Sequence, residues 1–525
     1  MSMQGKYIQR FSEEYEDYLK DESRMIGEAD SISFPKTEES LRAILFELKN
    51  HQSKITVQGA RTGITGGAIP KGGHVLNLSR MNKVKGFRYD PKSKNYFLTV
   101  QPGVLLSELR QMISDKDFDT EDWSKESLAT LKRFRKDQEY FFPPDPTEAS
   151  ASIGGMVSNN ASGARTFRYG PTRNYIEGLR IFLADGDSFL LRRGENKANG
   201  RTFVIQTDQG RILSGEIPSY AMPDVKNASG YYAKKNMDLV DLFIGSEGTL
   251  GIITEVEIKL IPKPAFFCGM TVFAPNEDIA LHFICRIREC AFRPAAIEYF
   301  NADALVLLKE QKRKNAAFST LLEMPFDSRE AVYVEYHGEE EEVIQGILQA
   351  GEIFVSCGGN EADTWLALNS QGMEQLHFFR HAVPEAVNLT IDERRRKEAG
   401  LTKLGTDMAV PDAMLEDVMH LYRTTLRETG VESVIFGHIG NNHVHVNILP
   451  RNMEDYIKGK ALYGKWAEAV LKMGGTVSAE HGIGKMKISL LKKMIGEKGI
   501  EEMKGIKRTF DPEWRLNIGN LFEIE

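Results

Sequence analysis

Leu242-Phe-Ile-Gly-Ser-Glu-Gly-Thr-Leu-Gly-Ile-Ile253 is the stretch on which the fold turns. Its glycines let the backbone adopt conformations closed to other residues and pass close to a ligand or a neighbouring strand. The chain then runs into Thr254–Leu260, where polar and apolar residues alternate as in a strand with one buried face. Pro262 and Pro264 punctuate the chain just beyond, which places a domain boundary there.

Two more glycine-rich clusters lie upstream. Gln58-Gly-Ala-Arg-Thr-Gly-Ile-Thr-Gly-Gly67 can turn successive N–H groups toward one anion, a nest that suits a pyrophosphate. It neither opens a long helix with GxGxxG nor matches GxxxxGK[ST], so Rossmann and P-loop readings do not apply. A tight surface loop is the plain alternative, and this cluster alone does not decide between them. The other cluster joins Pro144-Asp-Pro-Thr147, Ile153-Gly-Gly-Met-Val-Ser-Asn-Asn-Ala-Ser-Gly163 and Arg168-Tyr-Gly170. Its small residues, amides and hydroxyls allow a flat ring to lie against backbone.

Around these clusters, helical and strand patterns interleave. Thr37 is a candidate N-cap, Glu38 and Glu39 suit the first turn, and Leu41, Ile44, Leu45 and Leu48 share one helical face. Strands are expected at Ile55–Val57, Val75–Leu78 and Phe97–Gln101, a helix at Val104–Ile113, and a hairpin around Asp185-Gly186. The first 30 or so residues read as polar helices, and charged residues 114–140 as a solvated insertion with one or two helices. The first half is thus α+β or α/β. From Phe267 the pattern restarts as a separate α+β unit around an antiparallel sheet. The basic run Arg394–Lys397 reads as a solvated loop.

With 525 residues, 41% hydrophobic and 27% charged, the chain has the make-up of a folded protein of several domains. A net charge of −7 disfavours nucleic acid as a partner. No apolar run approaches the roughly 18 residues of a spanning helix, and the N-terminal stretch lacks the basic and apolar regions of a secretory signal. The four cysteines form no CxxC pair, which excludes the usual iron–sulfur and zinc-ribbon spacings. Reduced, buried thiols in a cytoplasmic protein are the expectation, with peripheral association at a membrane as the alternative location.

Of 11 histidines, four fall at 438, 443, 445 and 481. On a strand at 443–447, His443, His445 and Asn447 would share a face. Downstream comes Glu480-His481-Gly-Ile-Gly484-Lys485. Imidazoles with a carboxylate commonly hold zinc or manganese. A lone histidine would more often be structural; three on a short segment point to a site.

The three glycine clusters in this order, above all Ile244-Gly-Ser-Glu-Gly-Thr-Leu-Gly251, resemble the vanillyl-alcohol-oxidase/PCMH-type FAD-binding fold. Within it the chain is similar to the branch holding D-lactate, glycolate and D-2-hydroxyglutarate dehydrogenases, from about Ser33 to Phe522. The resemblance implies an α+β architecture: a helical extension (1–32), a PCMH-type FAD-binding domain of two α+β subdomains (33–264), an α+β cap with an antiparallel sheet (265–435), and a C-terminal segment returning to the flavin (436–525). It implies that Arg61, Thr62, Gly63, Ile64, Thr65, Gly66 and Gly67 cradle the FAD pyrophosphate. Thr147, Gly154, Gly155, Ser158, Asn160 and Gly163 would line the ring and phosphates, and Glu247, Gly248 and Ile253 the adenosine side. Asn517, in a tail similar to the family's, is a further flavin contact. Ala60-Arg61-Thr62 stands where some members tether flavin through histidine, so noncovalent FAD is expected.

By the same resemblance, His438, His445 and Glu480 are metal ligands and His481 the catalytic base, in motifs the family writes GHxGDGNxHxN and EHGIG. Asn441-Asn442-His443 replaces the usual Asp-Gly-Asn, leaving His443 as an extra ligand or a structural residue. Arg380 matches the substrate arginine. Glycine at 405 stands where the family has a second basic residue, with Lys403 as its substitute. The implied reaction oxidises a small D-2-hydroxy acid, with hydride passing to flavin N5 and a quinone or electron-transfer flavoprotein as acceptor, in a chain that could form a homodimer. The alternatives are a redox-neutral flavin enzyme of the alkylglycerone-phosphate synthase type and a non-catalytic electron-relay subunit.

Overall fold

The computed structural model describes residues 7–325 and 329–523. The core begins as a strand, slightly earlier than the pattern suggests. Ser31–Ser33 is fully buried and pairs in parallel with His74–Asn77, which pairs in turn with Ile55–Gln58. The Thr37 hydroxyl accepts from the Ser40 N–H and starts the helix Glu38–Asn50. Leu41, Ile44, Leu45 and Leu48 face Ile55, Leu76 and Phe182, as their spacing requires. Each such buried side chain is worth about 1.5–3 kcal/mol.

The polar helices expected before residue 33 are instead one 3-10 segment, Glu13–Leu19, and a strand, Gln9–Arg10, beside Ser31–Ser33. Ser12 gives the segment no side-chain cap, and Tyr15 and Tyr18 pack on Phe34. Ring contacts, not a helical apolar stripe, anchor this region.

The second sheet is antiparallel around Ile252–Pro262, with Asn95–Val100 on one side and Ile176–Phe182 on the other. Val84–Asp90 and Ser188–Arg192 lie outside these, the latter through the expected hairpin. The charged insertion is not wholly solvated. Its helix Lys125–Phe134 buries Leu131 and Phe134, and the Phe134 ring packs 4.8 Å from Phe87.

The chain leaves this sheet at Pro262 and enters a third at Phe266. That sheet orders its strands Thr364–Ala367, Phe266–Ala274, Glu330–Gly338, Ala296–Phe300, Ser433–Gly437, His445–Ile448 and Leu404–Gly405, all antiparallel. The expected break after residue 435 therefore falls inside a strand, because Ser433–Gly437 is buried throughout and lies between Ala296–Phe300 and His445–Ile448 in the cap sheet. Two long helices follow, and the tail then returns to the first sheet. The Ile55 N–H donates to the Arg515 carbonyl at 2.7 Å, and the Asn517 N–H to the Ile55 carbonyl at 2.8 Å.

The first half of the basic run, Arg394 and Arg395, is likewise not a loop but the end of a helix, Ser370–Arg395, while Arg396 and Lys397 form the exposed turn after it. Arg394 forks onto Glu432 at 2.7 and 2.8 Å, and cations suit the negative end of the helix dipole. Pro384 sits inside this helix, so the carbonyl of Arg380 lacks its usual N–H partner there. Cys268 is buried but Cys285, Cys290 and Cys357 are only half-buried, all as free thiols, which corrects the expectation of four buried ones. Among the described residues no helix is long and apolar enough to cross a membrane.

Candidate active site and metal centre

Segment 480–485 is held by all three glycine clusters. From the first, Thr65 Oγ1 donates to the His481 carbonyl at 3.3 Å, while the Thr65 carbonyl accepts from the Lys485 N–H at 2.9 Å. From the second, Asn159 Nδ2 donates to the His481 carbonyl at 3.1 Å. From the third, the Glu247 carboxylate accepts from the N–H groups of Ile483 and Gly484 at 2.7 Å each. Gly484 has φ +52°, and a Cβ there would lie 2.1 Å from the Thr65 carbonyl oxygen, so only glycine allows this approach. Burial pushes Glu247 up to about 7 against the pull of those N–H groups.

On its other side the segment turns Glu480 into the imidazole cluster. His438 Nε2 lies 3.4 Å from Glu480 Oε2, and His445 Nε2 lies 3.4 Å from Glu480 Oε1. Acceptors elsewhere fix the rings. His438 Nδ1 meets Glu298 at 2.7 Å, and His445 Nδ1 meets the Thr406 carbonyl at 2.9 Å. Such outer partners orient metal-binding histidines. Burial pulls His438 down, but Glu298 and Glu480 outweigh it and push it up to about 9. Burial lowers His445. Burial opposes the Glu480 charge, yet Lys226 and His438 hold its carboxyl well below the usual range.

His481 sits at the edge of this cluster, its ring stacked on His445 at 5.4 Å and its side chain 29% exposed, so it alone of the four faces open space. Its Nδ1 is 3.4 Å from Asp407 and its Nε2 3.1 Å from Glu480. Asp407 is 1% exposed and also accepts from the N–H groups of Glu480 and His481, each at 3.1 Å, and from Lys487 at 2.6 Å. Burial would raise Asp407, but His481 and Lys487 hold it well below the usual carboxylate range.

The structure thus brings together His438, His445, Glu480 and His481. It also adds groups that motif reading missed: Glu298, Asp407, Lys226 and the Thr406 carbonyl. Lys226 donates to Glu480 at 2.6 Å. Glu298, a carboxylate in the apolar strand Ala296–Phe300, was the one with a visible signal. Arg380 leaves Nη1 buried without a protein partner, while Nη2 meets His381 at 2.9 Å. Lys403 is not in the cluster. Its ammonium bonds Asn388 at 2.9 Å, near the Arg24–Asp392 ion pair, because the edge strand Leu404–Gly405 leaves it on the outside.

The strand expected at 443–447 begins only at His445; Asn442 takes a left-handed turn at φ +51° and carries His443 into the cluster from that turn.

The first glycine loop fits an anion. No N–H from Arg61 to Gly67 donates to another protein group among the described residues, while the carbonyls of Thr65, Gly66 and Gly67 are engaged. Seven adjacent uncommitted donors suit a pyrophosphate. Other expected flavin contacts spend their side chains on the protein. Asn160 accepts from the Arg173 N–H at 3.0 Å, and Asn517 bridges the Val57 N–H at 2.7 Å to the Glu247 carbonyl at 2.9 Å. Ile253 is a sheet residue paired with Ile181. The metal donors fit as well: imidazole nitrogens and a carboxylate oxygen lie within 4.8 Å of one another.

Comparison with known proteins agrees with this geometry. The profile of the FAD binding domain matches residues 29–124 and 126–191, and that of the C-terminal domain of FAD linked oxidases matches residues 263–521. The chain is an FAD-linked oxidase of the PCMH and vanillyl-alcohol-oxidase type. Its relatives are distant. It is 26% identical over 94% of its length to the glycolate oxidase subunit GlcD of Bacillus subtilis (strain 168), covering 89% of that protein. It is 27% identical over 96% of its length to a D-lactate dehydrogenase of Anaerostipes hadrus, covering 92% of it. A D-2-hydroxyglutarate dehydrogenase of Stutzerimonas stutzeri (strain A1501) is 27% identical over 96% of the chain and 94% of its own. Among solved structures, substrate-bound p-cresol methylhydroxylase shares the fold with a TM-score of 0.64 at 14% identity, over 98% of this chain and 94% of that one.

Proposed function

We propose that this FAD-linked oxidase oxidises a small D-2-hydroxy acid to the 2-oxo acid, with noncovalent FAD and a divalent metal. The observation that carries the reading is the placement of segment 480–485. Its backbone is bonded to the three flavin-type glycine clusters, and Glu480 and His481 point into the imidazole site. The names of the relatives, a glycolate oxidase subunit and dehydrogenases of D-lactate and D-2-hydroxyglutarate, support the substrate class.

Arg61–Gly67 would hold the pyrophosphate, and His438, His445 and Glu480 the metal. When bound, FAD supplies the acceptor for the C2 hydride and the cation supplies the polarisation that acidifies the neighbouring hydroxyl. The chain's own groups do the rest. Arg380 offers its unpartnered Nη1 to the substrate carboxylate. His481 accepts the hydroxyl proton at Nε2, and Asp407 holds Nδ1 on the far side of the ring, fixing tautomer and orientation.

The test is an anaerobic screen of D- and L-2-hydroxy acids against the purified holoprotein, read at the flavin band. A D-acid should bleach the flavin and its L-enantiomer should not. His481→Ala should keep its FAD and lose about a thousandfold in reduction rate. If no 2-hydroxy acid bleaches the parent, the substrate class is wrong. If His481→Ala matches the parent, another group is the base.

A further inference from the structure

The third imidazole of the cluster, His443, is fully buried and used by nothing so far described. Its Nε2 lies 3.0 Å from Asp407 Oδ1. Its Nδ1 points the other way, 3.8 Å from Glu480 Oε2 and 3.3 Å from the Lys226 ammonium. Since an ammonium has only protons to offer, Nδ1 must present its lone pair, which leaves Nε2 to carry the hydrogen; that N–H is not aligned on Asp407 and has no hydrogen-bond partner, so the 3.0 Å contact with Asp407 is one of charge.

His443 follows its neighbours in outline, with a charge contact instead of a hydrogen bond at its outer nitrogen. In His438 the outer nitrogen meets Glu298, in His445 the Thr406 carbonyl, and in His443 Asp407. In each, the inner nitrogen faces Glu480. The rings pack around a common point, with centroids 5.4 Å (438 to 443), 5.5 Å (438 to 445) and 4.5 Å (443 to 445) apart. Bonds of about 2.1 Å to a tetrahedral zinc put neighbouring donors about 3.4 Å apart. The inner nitrogens of His438 and His445 stand at 3.4 Å from the Glu480 oxygens and that of His443 at 3.8 Å.

We infer that His443 is a metal ligand through Nδ1, so that the centre is built from three imidazoles and Glu480, with Asp407 orienting the added ring. This rests on the metal reading above and extends it. The side chain of Lys226 is buried against that donor set, on Glu480 at 2.6 Å and His443 Nδ1 at 3.3 Å. It also reaches the Gly163 carbonyl at 3.5 Å, an acceptor onto which it can withdraw as a cation enters. The three imidazoles and Glu480 would hold the cation, which would supply the polarisation of a substrate oxygen.

The experiment is X-ray absorption at the zinc edge on zinc-loaded, FAD-containing parent and His443→Asn proteins, with zinc retention measured against a competing chelator. Asparagine preserves a polar side chain, and flavin content reports folding. The parent should show three imidazoles per zinc and His443→Asn two, with affinity lowered by at least about tenfold. Two imidazoles in both proteins, with equal retention, would overturn the role of His443 and leave the His438/His445/Glu480 centre standing. A parent that takes up no zinc while keeping its FAD would overturn the metal reading, and this ligand with it.

Discussion

Buried histidines commit their nitrogens differently in the N-terminal sheet and in the C-terminal cluster. In the N-terminal sheet His74 is wholly buried, with Nδ1 on Ser31 Oγ at 2.8 Å and Nε2 on Ser33 Oγ at 2.7 Å. Both nitrogens are spent on hydroxyls, and burial holds the ring down to about 3. In the C-terminal cluster His438 and His445 each spend one nitrogen on an outer acceptor and turn the other toward a shared carboxylate. The depth is similar and the chemistry is not. A buried histidine signals a site when one of its nitrogens is left for something other than the fold.

The sharpest way to break this contrast is to remove an outer acceptor. Glu298→Gln replaces the charged partner of His438 with a neutral one. Metal affinity should fall about 10- to 100-fold in chelator competition, with FAD content unchanged. Unaltered affinity would mean that Glu298 serves packing alone.

A smaller effect is expected at His74. An unfolded imidazole titrates near 6.5, whereas the folded ring stays neutral down to about 3. Between those values the unfolded chain binds the extra proton. Stability from this residue is thus complete above about 6.5 and lost as pH falls toward about 3. His74→Gln removes the titration, so its urea midpoint should decline less steeply over that range, with metal binding and flavin reduction as in the parent. Parallel slopes for the two proteins would show that His74 does not drive the acid response.

The legible parts of the site were those whose chemistry is concentrated in short segments. Glycine loops and the 438–445 and 480–485 stretches carry unusual residues at close spacing, and their convergence followed from reading them together. The pairing of these stretches with the groups that orient them was hidden, although Glu298 is conspicuous as a carboxylate in an apolar strand. Glu298 and Asp407 stand far along the chain from the rings they hold, and only the folded sheet, which sets Ala296–Phe300 beside Ser433–Gly437, brings Glu298 to His438. Lys226 lies in a polar stretch that offers no periodic signal. In the fold, the apolar stripe of Glu38–Asn50 and the alternation before Pro262 were plain. The helix Ser370–Arg395 was not, because Pro384 interrupts it and its basic end reads as a solvated run. Lys403 was misplaced because its closeness in sequence to Gly405 does not reveal which side of an edge strand a residue takes.

On the proposed function, the imidazoles and Glu480 hold a cation where the flavin is reduced. The direct measurement is anaerobic flavin reduction by the reactive hydroxy acid in chelator-stripped and metal-reloaded protein, with metal and FAD quantified in each sample. Stripping should leave the FAD in place and slow reduction by at least about 100-fold, with the rate restored on reloading. A stripped protein, free of metal by elemental analysis, that reduces its flavin as fast as the reloaded one would contradict the account.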